Sequence, residues 1–246
     1  MILAVIPARY GSTRFPGKPL TDLNGQSLIR RTYAAIERTG LVDQLVVATD
    51  DVRIADHVTA FGGKAIMTAA HHPTGTDRVA EAARAFPDAE LVVNLQGDEP
   101  FIRADQIGAL LDAFADPAVA VATLAAPVSD EHALLSPNVV KVVRGHQGRA
   151  LYFSRHAIPY LRDVPVGRWI EAGNHLQHVG VYGFRARVLQ ELTRLAPAPL
   201  EQQEMLEQLR WLSAGYAIQV AVTDRPSLGI DTPADLEEAR RRLTNS

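Results

Sequence analysis

Met1-Ile-Leu-Ala-Val-Ile-Pro7-Ala-Arg-Tyr-Gly-Ser-Thr-Arg-Phe-Pro-Gly-Lys-Pro19 joins a short apolar run to a basic, glycine-bearing loop. The run Leu3–Ile6 is stopped by Pro7. Continuous aliphatic runs of this length read as strands buried on both faces, the mark of a parallel sheet. Similar runs recur at Leu45–Thr49, more weakly at Lys64–Thr68, and at Leu91–Leu95. Helical patterns lie between them. In Ser27–Thr39 the residues Leu28, Ile29, Tyr33 and Ile36 fall near i, i+4, i+8 spacing, and Gly40 is a natural stop. Val52–Phe61 ends in Gly62-Gly63, and Asp77–Phe86 ends at Pro87. Four successive β–α units imply an α/β fold: a Rossmann-like, right-handed, doubly wound, mostly parallel sheet.

Beyond residue 115 the pattern turns to strands. Val119–Ala125, Val139–Arg144, Ala150–Ser154 and Gln177–Arg185 read as β, and the polar Arg162–Asn174 reads as a loop or small excursion. Leu200–Ser213 predicts one strong helix, Ile218–Val222 a strand and Pro233–Leu243 the last helix. The expected organisation is one α/β domain over 1–246 with a β-rich insertion at about 125–185.

Composition excludes several functions. Without cysteine there is no disulfide framework, thiol nucleophile or Cys-based zinc site. The histidines lack H-x-x-x-H or H-E-x-x-H spacing, so zinc is not expected through them either. A net charge of -3 offers no global field for nucleic acid, and no apolar run approaches the roughly 20 residues of a membrane span. No basic n-region precedes the short apolar start, so a cytoplasmic protein is expected.

The charge is unevenly placed. The loop after the first strand carries Arg9, Arg14 and Lys18, with no acid before Asp22. Gly11 and Gly17 permit close backbone approach, and Ser12 and Thr13 add hydroxyls. In open α/β sheets the ligand crevice lies at the carboxyl ends of the strands. A basic loop there suits a polyphosphate, although a solvated connector would look similar. It is not a Walker A loop: five residues separate Gly11 from Gly17, and Pro19 replaces the metal-binding hydroxyl. The G-x-G-x-x-G turn of dinucleotide-binding proteins is also absent.

Asn94-Leu-Gln-Gly-Asp-Glu-Pro100 follows the fourth strand and places Asp98 where a carboxylate could hold Mg²⁺ on substrate phosphates. Asp98 and Glu99 are equally intelligible as turn residues. Near the other end, Thr232, Pro233 and Asp235 make a complete helix start, which leaves Asp231 unexplained. Gly75-Thr-Asp-Arg78 opens a helix, with Thr76 as the expected N-cap. Arg78 would be misplaced as part of a cap, because cations are disfavoured at helix N-termini. On the later strand, alternation puts His178, Gly180 and Tyr182 on one face, either as a polar pocket or as a satisfied buried pair. His132 follows Glu131 and reads as a surface residue on a loop.

Taken in order, several motifs resemble the 3-deoxy-manno-octulosonate cytidylyltransferase (CMP-Kdo synthetase) family. They are Arg9–Lys18, Thr74–Arg78, Asn94–Pro100, Tyr152-Phe-Ser-Arg155, His178–Arg185, Leu200-Glu through Glu207-Gln-Leu-Arg210, and Asp231–Leu236. Departures are mild: Asp77 stands where Glu is common, Phe184 where Tyr is common, and Arg225–Leu228 is atypical. The resemblance implies a nucleotide-diphospho-sugar transferase type of fold. It also implies the reaction CTP + Kdo → CMP-Kdo + diphosphate, serving lipopolysaccharide biosynthesis with Mg²⁺ as cofactor. On that reading Arg14, Lys18, Asp98 and Asp231 are catalytic, and Asp98 and Asp231 hold the metal. Ala8, Arg9, Gly11, Ser12, Arg14, Lys18, Thr74, Gly75 and Thr76 contact the nucleotide. Arg78, Gln96, His178, Tyr182, Glu207 and Gln208 surround the sugar acid, and a homodimer forms through the β-rich insertion. The alternatives are a cytidylyltransferase for amino-Kdo or a sialic acid, a metal-dependent glycosyltransferase, or a non-catalytic nucleotide-binding module.

Overall fold

The computed structural model describes residues 1–11, 15–224, 226, 229–230 and 232–244. The chain packs as two compact units. The first is Met1–Ile107 with Arg185–Thr193 and Ser227–Ser246, and the second is Gly108–Phe184 with Arg194–Pro226.

The first unit alternates strand and helix: β1 (Ile2–Ala8), α1 (Leu28–Glu37), β2 (Gln44–Thr49), α2 (Val52–Ala60), β3 (Ala65–Met67), α3 (Gly75–Ala83) and β4 (Leu91–Asn94). Their order in the sheet is β3-β2-β1-β4, and every pairing is parallel. The register sets Ala8 beside Thr49 and Val5 beside Asn94, so the carboxyl ends of all four strands share one edge. Central residues Leu3–Ile6, Val46–Ala48 and Val92–Val93 are buried, as the aliphatic runs predict. Ser27 caps α1, accepting from Arg30 N at 3.3 Å, and the apolar face Leu28, Ile29, Tyr33 and Ile36 is buried.

α10 (Pro233–Thr244) starts as its sequence predicts, with Thr232 and Asp235 bonded reciprocally. Its Leu236 and Ala239 pack with Ile230 against Leu23 and Leu28. α3 starts two residues earlier than expected. Thr74, not Thr76, is its N-cap, because Asp77 at N3 completes a capping box with Thr74 in both directions.

α4 (Ala104–Asp112) leads into the second unit, which holds β5 (Val121–Pro127), α5 (Glu131–Leu135), β6 (Lys141–Arg144), β7 (Ala150–Ser154), α6 (Trp169–Ala172) and β8 (Leu176–Arg185). α7 (Ala186–Leu192) follows in the first unit, and α8 (Pro199–Glu204), α9 (Gln208–Ser213) and β9 (Ile218–Val222) complete the second. β5 pairs antiparallel with β8 and parallel with β9, while β6 pairs antiparallel with β7 and β8.

Three sequence expectations change here. The helix expected over Leu200–Ser213 is two helices, interrupted at Met205, which sits at φ 53°. The polar stretch Arg162–Asn174 contains α6, whose Trp169 is 3% exposed and packs on Val128, Leu134 and Ala157. His132, expected on a loop, lies in α5 and is exposed. Among the described residues no helix is long and apolar enough to cross a membrane.

Candidate active site

The carboxyl edge of the parallel sheet opens into a cavity of about 340 Å³, formed within the first unit. Pro7, Ala8 and Arg9 enter it from the end of β1, Lys18 and Pro19 from the following loop, and Gln96, Gly97 and Asp98 from the end of β4. His72–Gly75 and Arg78 close it from the start of α3.

Local backbone rules build the two loops. The first loop returns on itself through Gly17 N, which donates to Tyr10 O at 3.0 Å. Gly17 takes φ +70°, a left-handed conformation that costs glycine little, and the turn Lys18–Leu20 starts from it. In the second loop a Cβ on Gly97 would meet Ile6 Cγ2 at 3.3 Å and Pro7 O at 3.4 Å. The Asp98 turn therefore packs directly against the end of β1. Ile230 N fixes the same turn by donating to Asp98 O at 2.9 Å, and Thr32 Oγ1 shares its one proton between Gly97 O and Leu28 O, each at 3.1 Å.

These loops bring together Lys18 and Asp98, 80 residues apart, with Nζ 2.6 Å from Oδ2. Both side chains are largely buried, at 17% and 24% exposure, so the pair is less screened than a surface one. Arg78 is 5% exposed. Its Nη1 donates to Thr68 Oγ1 at 2.6 Å, and its Nη2 lies 3.3 Å from Asp50 Oδ1. The cation that would be misplaced in a cap is thus balanced by groups at the ends of β2 and β3.

His72 was absent from the sequence candidates. Its Nε2 meets the Glu81 carboxylate, which also accepts from Ala69 N at 3.0 Å. The His72 bond, then the Ala69 amide, hold Glu81 below the usual carboxylate range. No local spacing signals this pair, since His72 precedes the helix that carries Glu81.

Of the predicted nucleotide residues, Ala8, Arg9, Lys18, Thr74 and Gly75 line the cavity. Gly11 is exposed and outside the lining, and Thr76 is buried in α3. Ser12, Arg14 and Asp231 lie outside the described residues. Among those described, no three His, Cys, Asp or Glu side chains form a metal-binding group. The donor set nevertheless fits Mg²⁺, a hard cation that takes one or two protein carboxylates and completes its shell with phosphate oxygens and water.

The second unit gathers the other predicted residues. His178 and Tyr182 are four positions apart, a separation of about 13 Å along a regular strand. Their ring centroids are 5.3 Å apart. The register of β8 explains this: Thr123 faces Tyr182, but the next residue, Leu124, faces Val179, so a bulge folds Gly180 and Val181 out of the ladder. Thr123 Oγ1 gives its single proton to a carbonyl, best to Val181 O at 2.7 Å, so it accepts from His178 Nε2 at 2.9 Å. This hydrogen-bond network assigns His178 as the neutral Nε2–H tautomer, with Nδ1 an acceptor. Burial pushes its pKa down to about 3.

The Tyr182 hydroxyl is buried with no hydrogen-bond partner among the described residues. Burial and then the Glu207 charge push that phenol up. Trp211 packs edge-on against Tyr182 at 5.1 Å, and Gln208, one turn before it in α9, is 5% exposed. Such a buried donor calls for a water or a ligand.

Comparison with known proteins places this geometry. A family described as cytidylyltransferase matches residues 3–219. The chain is 46% identical to a 3-deoxy-manno-octulosonate cytidylyltransferase from Parabacteroides distasonis, over 99% of this chain and 98% of that one. It is 48% identical to the enzyme of the same name from Halorhodospira halophila, over 98% and 96%. The solved structure of CMP:2-keto-3-deoxy-manno-octonic acid synthetase complexed with CTP superposes with a TM-score of 0.92 at 43% identity, covering 99% of this chain and 98% of that one. A cytidylyltransferase from Leptospira borgpetersenii, 17% identical with a TM-score of 0.65 over 100% and 87%, shares the fold. The chain belongs to the cytidylyltransferase family, in the branch of the 3-deoxy-manno-octulosonate cytidylyltransferases.

Proposed function

We propose that this protein activates 3-deoxy-D-manno-octulosonate (Kdo) with CTP, releasing diphosphate and CMP-Kdo for lipopolysaccharide biosynthesis. The observation that carries this reading is the Lys18–Asp98 pair at the mouth of β1 and β4, inside a cavity with Arg9 on its rim. A pocket that holds a carboxylate beside fixed cations suits a metal-bound triphosphate better than a neutral ligand.

In the reaction the anomeric hydroxyl oxygen of Kdo bonds to the α-phosphorus as the bond to the β-phosphate oxygen breaks. Arg9, Arg14 and Lys18 neutralise the phosphates and the charge growing on the departing diphosphate. Ala8, Gly11, Ser12 and the Thr74–Thr76 turn contact the nucleotide. Asp98 and Asp231 would hold Mg²⁺, which supplies charge neutralisation and activation of the attacking oxygen when bound. Support for that pairing is the bond from Ile230 N to Asp98 O.

In the first unit Arg78 and Gln96 are proposed contacts to the sugar acid, and in the second, taken by itself, His178, Tyr182, Glu207 and Gln208 are. His178 Nδ1 would accept from a sugar hydroxyl, and the buried Tyr182 hydroxyl would donate to one. The protein would work as a single nucleotidyltransferase domain over 1–246, in the cytoplasm and as a homodimer. Support for the dimer comes from Leu135, Leu151 and Tyr160, which are 51%, 63% and 75% exposed within residues 125–185.

The test is diphosphate release from CTP and Mg²⁺ with Kdo, amino-Kdo and sialic acids offered separately. Kdo should be the preferred acceptor. Asp98→Asn should lower turnover by about 100-fold or more while leaving the melting temperature near wild type. Preference for another sugar would overturn the substrate, and retained turnover in Asp98→Asn would overturn the metal assignment.

A further inference from the structure

We propose that Arg155 and Glu204 form a clamp that sets where α9 begins, making both of them positioning residues for the acid sugar. This rests on the reading that Glu207 and Gln208 contact that sugar.

The starting point is Met205, between α8 and α9, at φ 53° and ψ 48°. An L-residue with a long side chain does not choose the left-handed region by itself. Its own packing does not impose it either, since Met205 is 75% exposed. What holds the reversal is a set of bonds to the backbone on either side of that torsion. Arg155 Nε donates to Glu204 O at 2.7 Å, and Arg155 Nη2 donates to Met205 O at 3.3 Å. The Glu204 carboxylate answers in the other direction, accepting from Ser154 Oγ at 2.6 Å and from Arg155 N at 2.9 Å. Each residue of the pair thus holds the other's main chain.

The base of the clamp is rigid. Ser154 is 4% exposed and faces Lys141 in the β6–β7 ladder. Lys141 is fully buried, with Nζ bonded to Ser136 O at 2.8 Å and to Val139 O. Arg155 Nη1 adds Pro137 O at 2.9 Å, tying the clamp to the same turn. A separate staple, the Glu201–Arg210 ion pair at 2.5 Å, already fastens α8 to α9. The clamp is therefore not needed merely to keep the helices together. It fixes the torsion of the short link, two residues ahead of Glu207 and three ahead of Gln208.

Arg155→Ala and Glu204→Gln should each raise the KM for Kdo on the order of tenfold, with the KM for CTP within about twofold of wild type. Near-ultraviolet circular dichroism of the Trp211–Tyr182 contact should change in Arg155→Ala, while the far-ultraviolet spectrum is kept. Met205→Gly added to Arg155→Ala should restore most of the lost sugar affinity, because glycine adopts this torsion freely and the exposed methionine side chain gives up little packing. Unchanged near-ultraviolet spectra and KM values would overturn the clamp. A rise in KM that Met205→Gly does not relieve would overturn its action through Met205. A changed spectrum with an unchanged Kdo KM, together with a silent Glu207→Ala, would overturn the sugar reading of α9 instead.

Discussion

His178 keeps its neutral ring far into the acid range, because burial disfavours the imidazolium. Its pKa is about 3 when folded, against 6.5 for an ordinary histidine. The folded chain therefore binds no proton there until well below the pH at which the unfolded chain does. The stability associated with the neutral ring is complete above about pH 6.5 and is lost as pH falls toward 3. Wild-type protein should lose stability on acidification from pH 6.5 to 4.5 faster than His178→Gln, by at most about 1.4 kcal/mol per pH unit. Urea midpoints measured across that range would show it, and parallel curves would refute it. Residues of this kind were half legible in the sequence. Arg78 stood out because a cation does not belong at a helix start, and its position named it as a candidate. Its partners Asp50 and Thr68 did not stand out, nor did His72 with Glu81. These contacts depend on which strand ends the sheet order places side by side, and single-sequence spacing does not contain that order.

The elements divide by whether their signal is local. Four parallel strands and the capped starts of α1 and α10 follow from aliphatic runs and from Ser27 and Thr232. The capping box of α3 is written in the sequence too, as Thr74 with Asp77, with Thr76 a competing cap residue two positions on. The break between α8 and α9 had no such signal, since no glycine or proline marks Met205 and helical periodicity runs through it. Long-range bonds from Arg155 and Glu204 override the local preference. The bulge in β8 is similar: alternation correctly put His178 and Tyr182 on one face, but not 5.3 Å apart. A further expectation belongs to this scale. Glu201 and Arg210, 13% and 9% exposed, join α8 to α9, and α8 also begins with Ala198 N bonded to Glu201. Glu201→Gln leaves a buried guanidinium without its counter-charge and should cost about 3 kcal/mol of stability. Chemical denaturation would measure this, and a loss below 1 kcal/mol would mean the pair is solvated in solution.

For the whole molecule, the near-neutral net charge offers no global field for a large polyanion, while the first loop concentrates Arg9, Arg14 and Lys18. Assembly was expected only from the resemblance, because a dimer face has no period of its own. β7 pairs with β6 and carries Leu151 outward at 63% exposure. Sedimentation should give twice the 26.8 kDa chain mass for wild type, and Leu151→Glu should shift it toward monomer. A wild-type mass of one chain would reject the homodimer. The apolar cluster under the first loop has another consequence, for synthesis of the protein. Leu23 and Leu28 are covered by Ile230, Leu236 and Ala239. At about 5–20 residues per second, the early residues leave the ribosome some 10–40 seconds before the late ones exist. The nucleotide end of the protein is made well before the helix that covers it and is among the last parts to close. Throughout that interval its leucines are exposed to chaperones, proteases and neighbouring nascent chains, and limited proteolysis of ribosome-bound chains would read its length directly.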